Sequence, residues 1–567
     1  EWLHKVVGLG EVGGAETRCA RVAVMMPNSL DMLLLIVAGA KVGGCSALVN
    51  TNLSLEALAR SVQLAADRNA PVLIFGEEFA PQIAAVVDGG WLEKGEDAFT
   101  AAEVKSLRFI CCRRASSSPP VQELAFECDD MHASLQSFQR DALYQPLLAH
   151  DHALDTAAKT VVHIFTSGTT GMPKASKVPH LRFLYTGITF CELFRVTAED
   201  VIYCSLPFYH SNATVCCFGM NLYCGATLVI RDGRFSASNF FPDCQKYGAT
   251  CAMYIGEVGR FLTRLPKSPA DTNHKVRLLF GNGLRLEVWK ELKQRFKISQ
   301  IGEFYGSSEG PSAMFNIPGL FGACSFNPWP LNVLGPFRII KHDADTGMPY
   351  RDPISGFCVQ ADWGETGEVI SKINQKDKHA TFHGYTDKTS SQTKILHDVF
   401  EKGDMFFRGG DLLRHDATGC MFFVDRIGDT FRWKGENVAT TEVQRVCSGT
   451  GGLAAADVYG VTVPQNDGRC GMAAVFLEPG ASPTTTLKAL YQHTAAHLPK
   501  YARPVFVRVV TEVEMTGTYK VSKRTLQQEG YDPSSVRDVF WRDDDASSYV
   551  PLTLNTYHEI CKGNLRF

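Results

Sequence analysis

The sequence has little net charge and no long run of lysine or arginine. Its formal net charge is only −3, with 57 basic and 60 acidic residues. Proteins that bind nucleic acid usually carry a strong basic field, so we expect no nucleic-acid partner. The 18 cysteines never show CxxC spacing, which argues against a zinc module or a redox pair and favours a reducing compartment. Small-molecule ligands fit this composition better.

The sequence also lacks an apolar run long enough to cross a membrane. Its two main apolar runs, residues 32–40 and 215–230, fall short of the roughly 20 apolar residues that a spanning helix needs. We therefore predict buried helices or strands there and no transmembrane helix. The chain begins with Glu1 and shows no charged leader before an apolar stretch, so we expect a fragment or processed chain whose membrane anchor is missing.

The sequence does contain a large apolar fraction, and its predicted strands and helices alternate in a βαβ pattern. A chain of 567 residues, 45% hydrophobic and 21% charged, is expected to form two or more globular domains. Predicted strands at 21–26 and 71–75 alternate with predicted helices at 29–42 and 55–66, which indicates a parallel sheet. A GxGxxG at Gly8, Gly10 and Gly13 lacks the following amphipathic helix of a dinucleotide site, so we interpret it as accidental.

The most informative stretch is residues 164–174, which follow a predicted buried strand at 161–165. Glycines allow backbone amides to approach an anion, hydroxyls donate further hydrogen bonds, and a lysine supplies positive charge, so the stretch predicts a triphosphate site. The alternative is an ordinary polar surface loop. Walker spacing is excluded because Pro173 and Ala175 flank the lysine. The residues concerned are Thr166, Ser167, Gly168, Thr169, Thr170, Gly171 and Lys174.

Two later segments, residues 280–285 and 303–309, are predicted to be strand exits. Either could be a simple turn. In the second, Tyr305 offers an aromatic face for adenine, Ser308 a hydroxyl for the α-phosphate, and Glu309 a carboxylate for the magnesium that accompanies ATP.

The phosphate-loop residues resemble the signature of adenylate-forming enzymes, which include acyl-CoA synthetases, luciferases and peptide-synthetase adenylation domains. Residues 428–443 look like the signature of fatty acid transport proteins and very-long-chain acyl-CoA synthetases, and the resemblance extends from about residue 20 to residue 552. It implies an α/β fold with a large N-terminal region of α/β subdomains, a distorted β-barrel, and a small mobile α+β C-terminal domain.

This resemblance also implies roles for individual residues. His210 would lie between the nucleotide and acyl sites, Glu309 would bind Mg²⁺, and Lys520 would be the adenylation lysine, with Met515 where relatives often carry a second lysine. Ser308 stands where threonine is more usual and keeps the hydroxyl. Besides the phosphate loop, the implied ATP- and AMP-binding residues are Gly281, Asn282, Gly283, Tyr305, Gly306, Ser308, Asp411 and Arg426.

The resemblance divides the chain into an AMP-binding region, 1–426, with a barrel subdomain at roughly 311–426, and a C-terminal domain, 427–567. The implied hinge comprises Arg426, Gly428 and Asp429. Residues expected on the side of coenzyme A are Trp433, Lys434 and Gly435. Tyr254, Ile255 and Gly256, with Glu257 beside them, are expected at the acyl pocket.

The expected reaction is activation of a long- or very-long-chain fatty acid by ATP and Mg²⁺ to an acyl-adenylate, followed by transfer to coenzyme A and coupled to fatty acid uptake. Two alternatives stay open: a ligase for another carboxylic acid, and a non-catalytic membrane-associated fatty acid carrier. We expect peripheral or N-terminally anchored association with the endoplasmic reticulum, peroxisome or plasma membrane, facing the cytosol. The oligomeric state is left open, with a homodimer as one alternative.

Overall fold

The computed structural model covers most of the chain. It describes residues 3, 21–68, 71–95, 97–113, 126–137, 157–167, 173–233, 235–328, 334–343, 346–374, 381–466, 468–510 and 523–565. Among these residues, no helix combines the length and the apolar character needed to cross a bilayer. The GxGxxG at Gly8, Gly10 and Gly13, which we interpret as accidental, lies outside the described residues.

The chain forms two compact units that interleave along the sequence. Unit 1 comprises Glu1–Asn327, Ser371–Leu396 and Met405–Phe407. Unit 2 comprises Pro328–Ile370, His397–Asp404 and Arg408–Phe567. These bounds describe how the chain packs and do not test where it bends. The predicted domain boundary near residue 427 therefore stays a prediction.

The first sheet of unit 1 has seven strands in the order β5-β4-β3-β1-β2-β6-β7, parallel except for the last pair. The strands are β1 (Arg21–Met25), β2 (Cys45–Leu48), β3 (Val72–Gly76), β4 (Arg108–Cys112), β5 (Cys128–Asp130), β6 (Thr160–Ser167) and β7 (Pro173–Pro179). Its helices are α1 (Leu30–Lys41), α2 (Leu55–Ala65), α3 (Ala80–Asp88), α4 (Ala101–Ser106) and α5 (Met131–Ser137).

Local sequence explains where the first helices begin. Ser29 caps α1 by accepting a hydrogen bond from the Met32 amide, and Ser54 caps α2 in the same way through Ala57. The predicted strands and helices over residues 21–76 are confirmed to within about one residue, the usual uncertainty of element ends. The apolar run 32–40 lies within α1, as a partly buried helix.

The second sheet of unit 1 has the order β13-β12-β11-β10-β8-β9, parallel except for β12 and β13. Its strands are β8 (Val201–Cys204), β9 (Thr227–Ile230), β10 (Cys251–Ile255), β11 (Leu278–Asn282), β12 (Gln300–Tyr305) and β13 (Met314–Asn316), with a short β14 (Ser325–Phe326) following. The helices are α6 (His180–Phe194), α7 (Gly219–Cys224), α8 (Ala237–Tyr247), α9 (Gly256–Arg264) and α10 (Leu286–Arg295). A π-helix over Asn212–Phe218 leads into α7, so the apolar run 215–230 is divided among three elements.

The first part of unit 2 contains much of a curved sheet with the order β21-β20-β18-β15. Along this stretch of the chain the elements are β15 (Phe337–Ile340), β16 (His342–Asp343), β17 (Met348–Pro349), β18 (Thr366–Lys372), α11 (Lys388–Gln392), β19 (Ile395–His397), β20 (Met405–His415) and β21 (Cys420–Arg426). Helix α11 lies in the segment Ser371–Leu396, which belongs to unit 1.

The rest of unit 2 packs helices on a five-stranded mixed sheet, β24-β25-β26-β27-β28. The sheet consists of β24 (Leu453–Thr462), β25 (Arg469–Leu477), β26 (Phe506–Val509), β27 (Val539–Asp543) and β28 (Ser548–Pro551). Before it in the chain, β22 (Phe431–Trp433) and β23 (Glu436–Val438) pair with each other. Its helices are α12 (Thr440–Ser448), α13 (Pro483–His497), α14 (Lys523–Glu529) and α15 (Leu554–Cys561). The apolar core of this region includes side chains from the sheet and from all four helices.

Candidate active site

The predicted phosphate loop connects β6 to β7, which form an antiparallel hairpin. Thr166 faces Lys174 and Ser167 faces Pro173 across this hairpin, so both ends of the loop are fixed in register. The buried strand that precedes the loop is confirmed, with Val162 and Ile164 fully or nearly fully buried. The tip residues Gly168, Thr169, Thr170 and Gly171 lie outside the described residues.

Tyr385 joins three of the predicted site residues. Its hydroxyl donates to Oε1 of Glu309 at 2.8 Å and is hydrogen-bonded by the Thr166 side chain. The Lys174 ammonium lies 5.9 Å from the centre of its ring. Burial and the neighbouring Glu309 raise the pKa of Tyr385, so the hydroxyl stays a neutral donor. The structure thus brings a lysine, a carboxylate and two hydroxyls to the end of β6.

Tyr385 reaches this place by backbone pairing with β7. It forms an antiparallel bridge with Ser176, and the Thr386 amide donates to the Ala175 carbonyl at 3.0 Å. On the other side of the bridge, the Lys177 amide donates to the Gly384 carbonyl. The segment 384–386 therefore acts as an additional strand beside the phosphate hairpin.

His210 begins a polar segment that contacts the second sheet. Its ring lies 4.6 Å from that of Tyr209, whose hydroxyl accepts a hydrogen bond from Asn52. The next residue, Ser211, shares a hydrogen bond of 2.8 Å with the hydroxyl of Ser308. Asn212 donates to the side chain of Asn282 at 3.1 Å. The predicted residues 210, 282 and 308 are therefore neighbours in the fold.

Beneath the exits of β10 and β11 lies a buried carboxyl group, Glu303. Its two oxygens accept hydrogen bonds from the Tyr254 hydroxyl and, at 3.0 Å, from the Leu284 amide. Burial raises the pKa of Glu303 to about 8, although its hydrogen bonds to Tyr254 and to the amides of Leu284 and Gly283 act in the opposite direction. Glu303 therefore links the segment expected at the acyl pocket to the segment expected at the nucleotide.

Glycines allow these two strand exits to touch. A Cβ on Gly256 would lie 1.9 Å from the Gly283 carbonyl oxygen, and a Cβ on Gly281 would lie 2.1 Å from that of Tyr254. Gly283 has a φ of +79°, a conformation that favours glycine. Tyr254 is fully buried with its hydroxyl on Glu303, so of the three residues expected at the acyl pocket it is the most enclosed.

In unit 2, the predicted ribose residue Asp411 faces Arg426 across the β20–β21 pair. Their side chains form an ion pair at 3.6 Å, and the Arg426 side chain is 58% exposed. Because the Arg426 guanidinium is exposed to water, its ion pair contributes little to stability, and Arg426 can turn from Asp411 to a ligand at small cost. The structure places these two predicted residues together.

A network of hydrogen bonds and an ion pair joins residues on both sides of the predicted hinge. Asp425 is buried and accepts hydrogen bonds from the amide and hydroxyl of Thr440. Lys523 donates to the same hydroxyl at 2.8 Å and lies 3.7 Å from Asp429. Burial raises the pKa of Asp425, and Lys523 opposes that shift. Gly428, by contrast, has no atom within 4 Å of the place where a Cβ would stand, among the described residues.

The three residues expected on the coenzyme A side have different environments. Trp433 is 2% exposed and belongs to the core of unit 2, so in this conformation it packs within the protein. Lys434 and Gly435 are exposed and form the tight turn between β22 and β23, with φ values of +53° and +84°. A small exposed turn on a buried tryptophan can present its backbone to a passing ligand.

Sequence reasoning missed three residues of this site. Tyr385 and Glu303 are described above, and the third is Arg182, whose guanidinium donates to the Ser307 carbonyl at 3.0 Å. Burial lowers the pKa of Arg182 to about 10, while the nearby Glu309 opposes the shift. The available signal was a charged residue within a largely apolar strand or helix: Glu303 lies in β12, and Arg182 lies in α6.

The chain matches the family of AMP-binding enzymes over residues 14–332, and the C-terminal domain of that family over residues 442–520. It is 39% identical to long-chain fatty acid transport protein 1 of Mus musculus over 547 residues, covering 96% of this chain and 79% of that protein. It is 43% identical to the human long-chain fatty acid transport protein 3 over 413 residues, covering 72% of this chain and 59% of that protein.

Solved structures share the fold at low identity. A benzoate CoA ligase from Burkholderia xenovorans LB400 superposes with a TM-score of 0.70 and 15% identity, covering 92% of this chain and 91% of that one. ATP-bound MatB from Rhodopseudomonas palustris gives 0.68 and 20%, covering 91% and 89%. The expected adenylate-forming fold is confirmed. The chain therefore belongs to the fatty acid transport protein family of AMP-binding enzymes, and it is an AMP-forming ligase.

Proposed function

We propose that the protein activates long- or very-long-chain fatty acids with ATP, through an acyl-adenylate, and transfers them to coenzyme A. The observation that carries the proposal is the cluster at the end of β6, where Tyr385 contacts Glu309, Thr166 and Lys174. The fatty substrate is supported by the names of the fatty acid transport protein relatives. Use of ATP is supported by the neighbour that was solved with ATP bound.

On the nucleotide side, Lys174 and the hydroxyls and glycines of residues 166–171 would hold the phosphates. Tyr305 and the glycine-bounded exit over residues 281–283 would hold adenine, with Ser308 and Gly306 next to the α-phosphate. Asp411 would hold the ribose, with Arg426 beside it. His210 would separate this nucleotide site from the acyl pocket around Ile255 and Gly256.

Glu309 fits a magnesium ligand. A carboxylate oxygen is the kind of ligand that Mg²⁺ prefers, and the Tyr385 hydroxyl orients Glu309 by donating to its Oε1 at 2.8 Å. When bound, Mg²⁺ would neutralise phosphate charge. Glu309 also lies near the positive charge of the Arg182 guanidinium.

In the first step the fatty carboxylate attacks the α-phosphate, and pyrophosphate leaves. Lys520 would stabilise the negative charge that develops on the attacking and phosphoryl oxygens. Lys520 lies outside the described residues, so its role rests on the family resemblance of residues 516–520.

In the second step the thiol of coenzyme A attacks the acyl-adenylate carbonyl, and AMP leaves. The C-terminal domain would first turn about Arg426, Gly428 and Asp429, which withdraws Lys520 and presents the turn at Lys434 and Gly435. Support comes from the open surroundings of Gly428 and from the exposed turn on Trp433.

Separate assays of the two steps test this division. Replacing Lys520 with alanine should lower pyrophosphate release with a long-chain acid by roughly 100-fold or more, the usual effect of losing a group that stabilises transition-state charge. Thioester formation from preformed acyl-adenylate should persist. Lys402→Ala, which changes an exposed lysine of unit 2, is the matched control. Equal loss of both steps would contradict the assignment of Lys520.

A panel of acids from short to very long chain, with ATP, Mg²⁺ and coenzyme A, distinguishes the alternatives. Preference for short or aromatic acids would favour a different carboxylate ligase. Failure to release pyrophosphate with any acid would favour a non-catalytic carrier.

The proposal includes a membrane-associated, cytosol-facing protein that couples synthesis to fatty acid uptake. Its support is the transport function in the names of the relatives and the hydrophobic nature of the substrate. Esterification to bulky, charged coenzyme A would trap the acid on the side of the membrane where it is formed. Uptake of labelled fatty acid by cells that express the Lys520→Ala variant should then fall together with synthesis.

A further inference from the structure

A cluster of three different ligand types lies in unit 1, at the edge of the first sheet. Cys112 is the last residue of β4, Asp31 lies in the first turn of α1, and His132 is the second residue of α5. Each residue comes from a different element, and none belongs to the candidate active site. The cysteine is buried, while the side chains of Asp31 and His132 are 36% and 37% exposed.

The donor atoms of these side chains have the spacing of metal ligands. Oδ2 of Asp31 lies 3.5 Å from the Cys112 sulfur and 3.4 Å from Nε2 of His132, and all three ligand atoms lie within 4.8 Å of one another. Tetrahedral zinc with ordinary bond lengths places a ligand oxygen about 3.6 Å from a ligand sulfur and about 3.4 Å from a ligand nitrogen. Oδ2 of Asp31 therefore already lies at the spacing of a tetrahedral ligand from each of the other two donor atoms, and binding would need only that the sulfur and Nε2, within 4.8 Å of each other, close around the cation.

The ligand set selects among cations. Mg²⁺ and Ca²⁺ prefer oxygen ligands, whereas one thiolate, one imidazole and one carboxylate suit Zn²⁺. We propose that Asp31, Cys112 and His132 form a Zn²⁺ site, with water as the fourth ligand, that ties the start of α1 to the end of β4 and the start of α5. On binding, the Cys112 S–H bond breaks, sulfur keeps the electron pair that it shares with the metal, and the proton goes to solvent.

Without a metal, the same contacts contribute little. The side chains of Asp31 and His132 are each more than a third exposed, so their ion pair contributes little to stability, and a thiol is a weak donor to Asp31. Such a pair does not require a cysteine beside it. The zinc site explains why a thiol, an imidazole and a carboxylate converge on one point from three elements.

Cobalt provides a direct test on the full chain after chelator treatment. Added Co²⁺ should give one equivalent of a tetrahedral visible spectrum together with a thiolate-to-cobalt charge-transfer band, and added Zn²⁺ should remove both. Cys112→Ser should abolish the charge-transfer band, and His132→Ala should weaken cobalt binding at least tenfold. Cys128→Ser, a change in the neighbouring strand β5, should leave the spectrum unchanged.

Thermal unfolding gives an independent measurement. Zn²⁺ should raise the midpoint for the unaltered protein and for Cys128→Ser, because a ligand that binds only the folded state stabilises it. It should not raise the midpoint for Cys112→Ser. A spectrum without the charge-transfer band in the unaltered protein, or a band that persists in Cys112→Ser, would overturn the proposal. Because Cys112 lies apart from the proposed ATP-binding residues, neither result depends on ligase activity.

Discussion

The strand exits of the second sheet are closely packed, whereas the turn region after β21 has open space around its glycines. At the exits, Glu303 ties Tyr254 to Leu284, and glycine backbones touch so closely that a Cβ has no room. In residues 426–435, Gly428 and Gly435 have open space around them among the described residues, and Arg426 is largely exposed. The first region can hold a ligand in one geometry, and the second can change its backbone dihedrals at low cost.

The largest effect should come from adding a methyl group at a glycine contact. Gly256→Ala would push a Cβ into the Gly283 carbonyl, which should lower the free energy of unfolding by about 1–3 kcal/mol or more, as overpacking does. Gly428→Ala, with open space, should change it by less than about 0.5 kcal/mol. Denaturant unfolding measures both. Equal losses would mean that the two regions do not differ in packing.

Removing the Glu303 carboxyl should have an effect of the same order. Glu303→Ala leaves the Tyr254 hydroxyl and the Leu284 amide buried without their partner, at a cost of about 1–3 kcal/mol for each such group. Glu303→Gln resembles the protonated carboxyl and should retain most of the stability. If both variants were equally unstable, the hydrogen bonds would not be the cause.

The pH dependence provides a sharper version of the same comparison. The pKa of Glu303 is raised from 4.5 to about 8, so between these values the folded state binds a proton that the unfolded state has lost. The contribution of Glu303 to stability is therefore complete below pH 4.5 and declines as pH rises to about 8. Glu303→Gln should remove this decline, which unfolding measured across that range would detect. An unchanged slope would contradict it.

At Tyr385 we expect a smaller loss of stability than at Glu303, together with a loss of catalytic rate. Tyr385→Phe keeps the ring beside Lys174 but removes the donor to Glu309, which should cost about 1 kcal/mol of stability. Pyrophosphate release should fall by about fivefold, since a loss of about 1 kcal/mol corresponds to that factor in a rate. Tyr350→Phe, at an exposed tyrosine of unit 2, is the control. Full activity in Tyr385→Phe would show that Glu309 needs no orientation by Tyr385.

A change in stability similar to that of Tyr385→Phe, but a smaller effect on catalysis, is expected at Gly435 in the turn region. Gly435 has a φ of +84°, so Gly435→Ala should cost about 1 kcal/mol through backbone strain alone. The thioester step should slow while pyrophosphate release is unchanged. Gly451→Ala, at a glycine of the same unit with neither a positive φ nor a close neighbour among the described residues, is the matched control. Loss of the first step as well would argue against a role confined to the second.

The sequence was sufficient to predict elements whose signals are local. The strand before the phosphate loop, the helices capped by Ser29 and Ser54, and the strand exits at residues 280–285 follow from apolar runs, caps and glycines. Several site residues, among them Lys520, were reached through family resemblance, because a lysine in a turn carries no distinctive local pattern.

Other features depend on contacts between distant segments. Tyr385 enters the phosphate cluster through a bridge to Ser176, and no local pattern around it predicts that pairing. The role of Glu303 depends on Tyr254 and on the exit of β11, which come from two other strands. The apolar run 215–230 gave a composition but not its division into a π-helix, an α-helix and a strand, because tertiary packing decides among these.

The bridge between Ser176 and Tyr385 has a consequence for how the protein is made. During synthesis, β6 and β7 leave the ribosome long before the segment 384–386 that pairs with β7. The nascent first unit therefore has an unpaired edge at its phosphate hairpin until the ribosome has passed residue 386. A chain that stopped after Asn327 would contain Glu309 without its tyrosine donor and β7 without the segment that pairs with its outer edge.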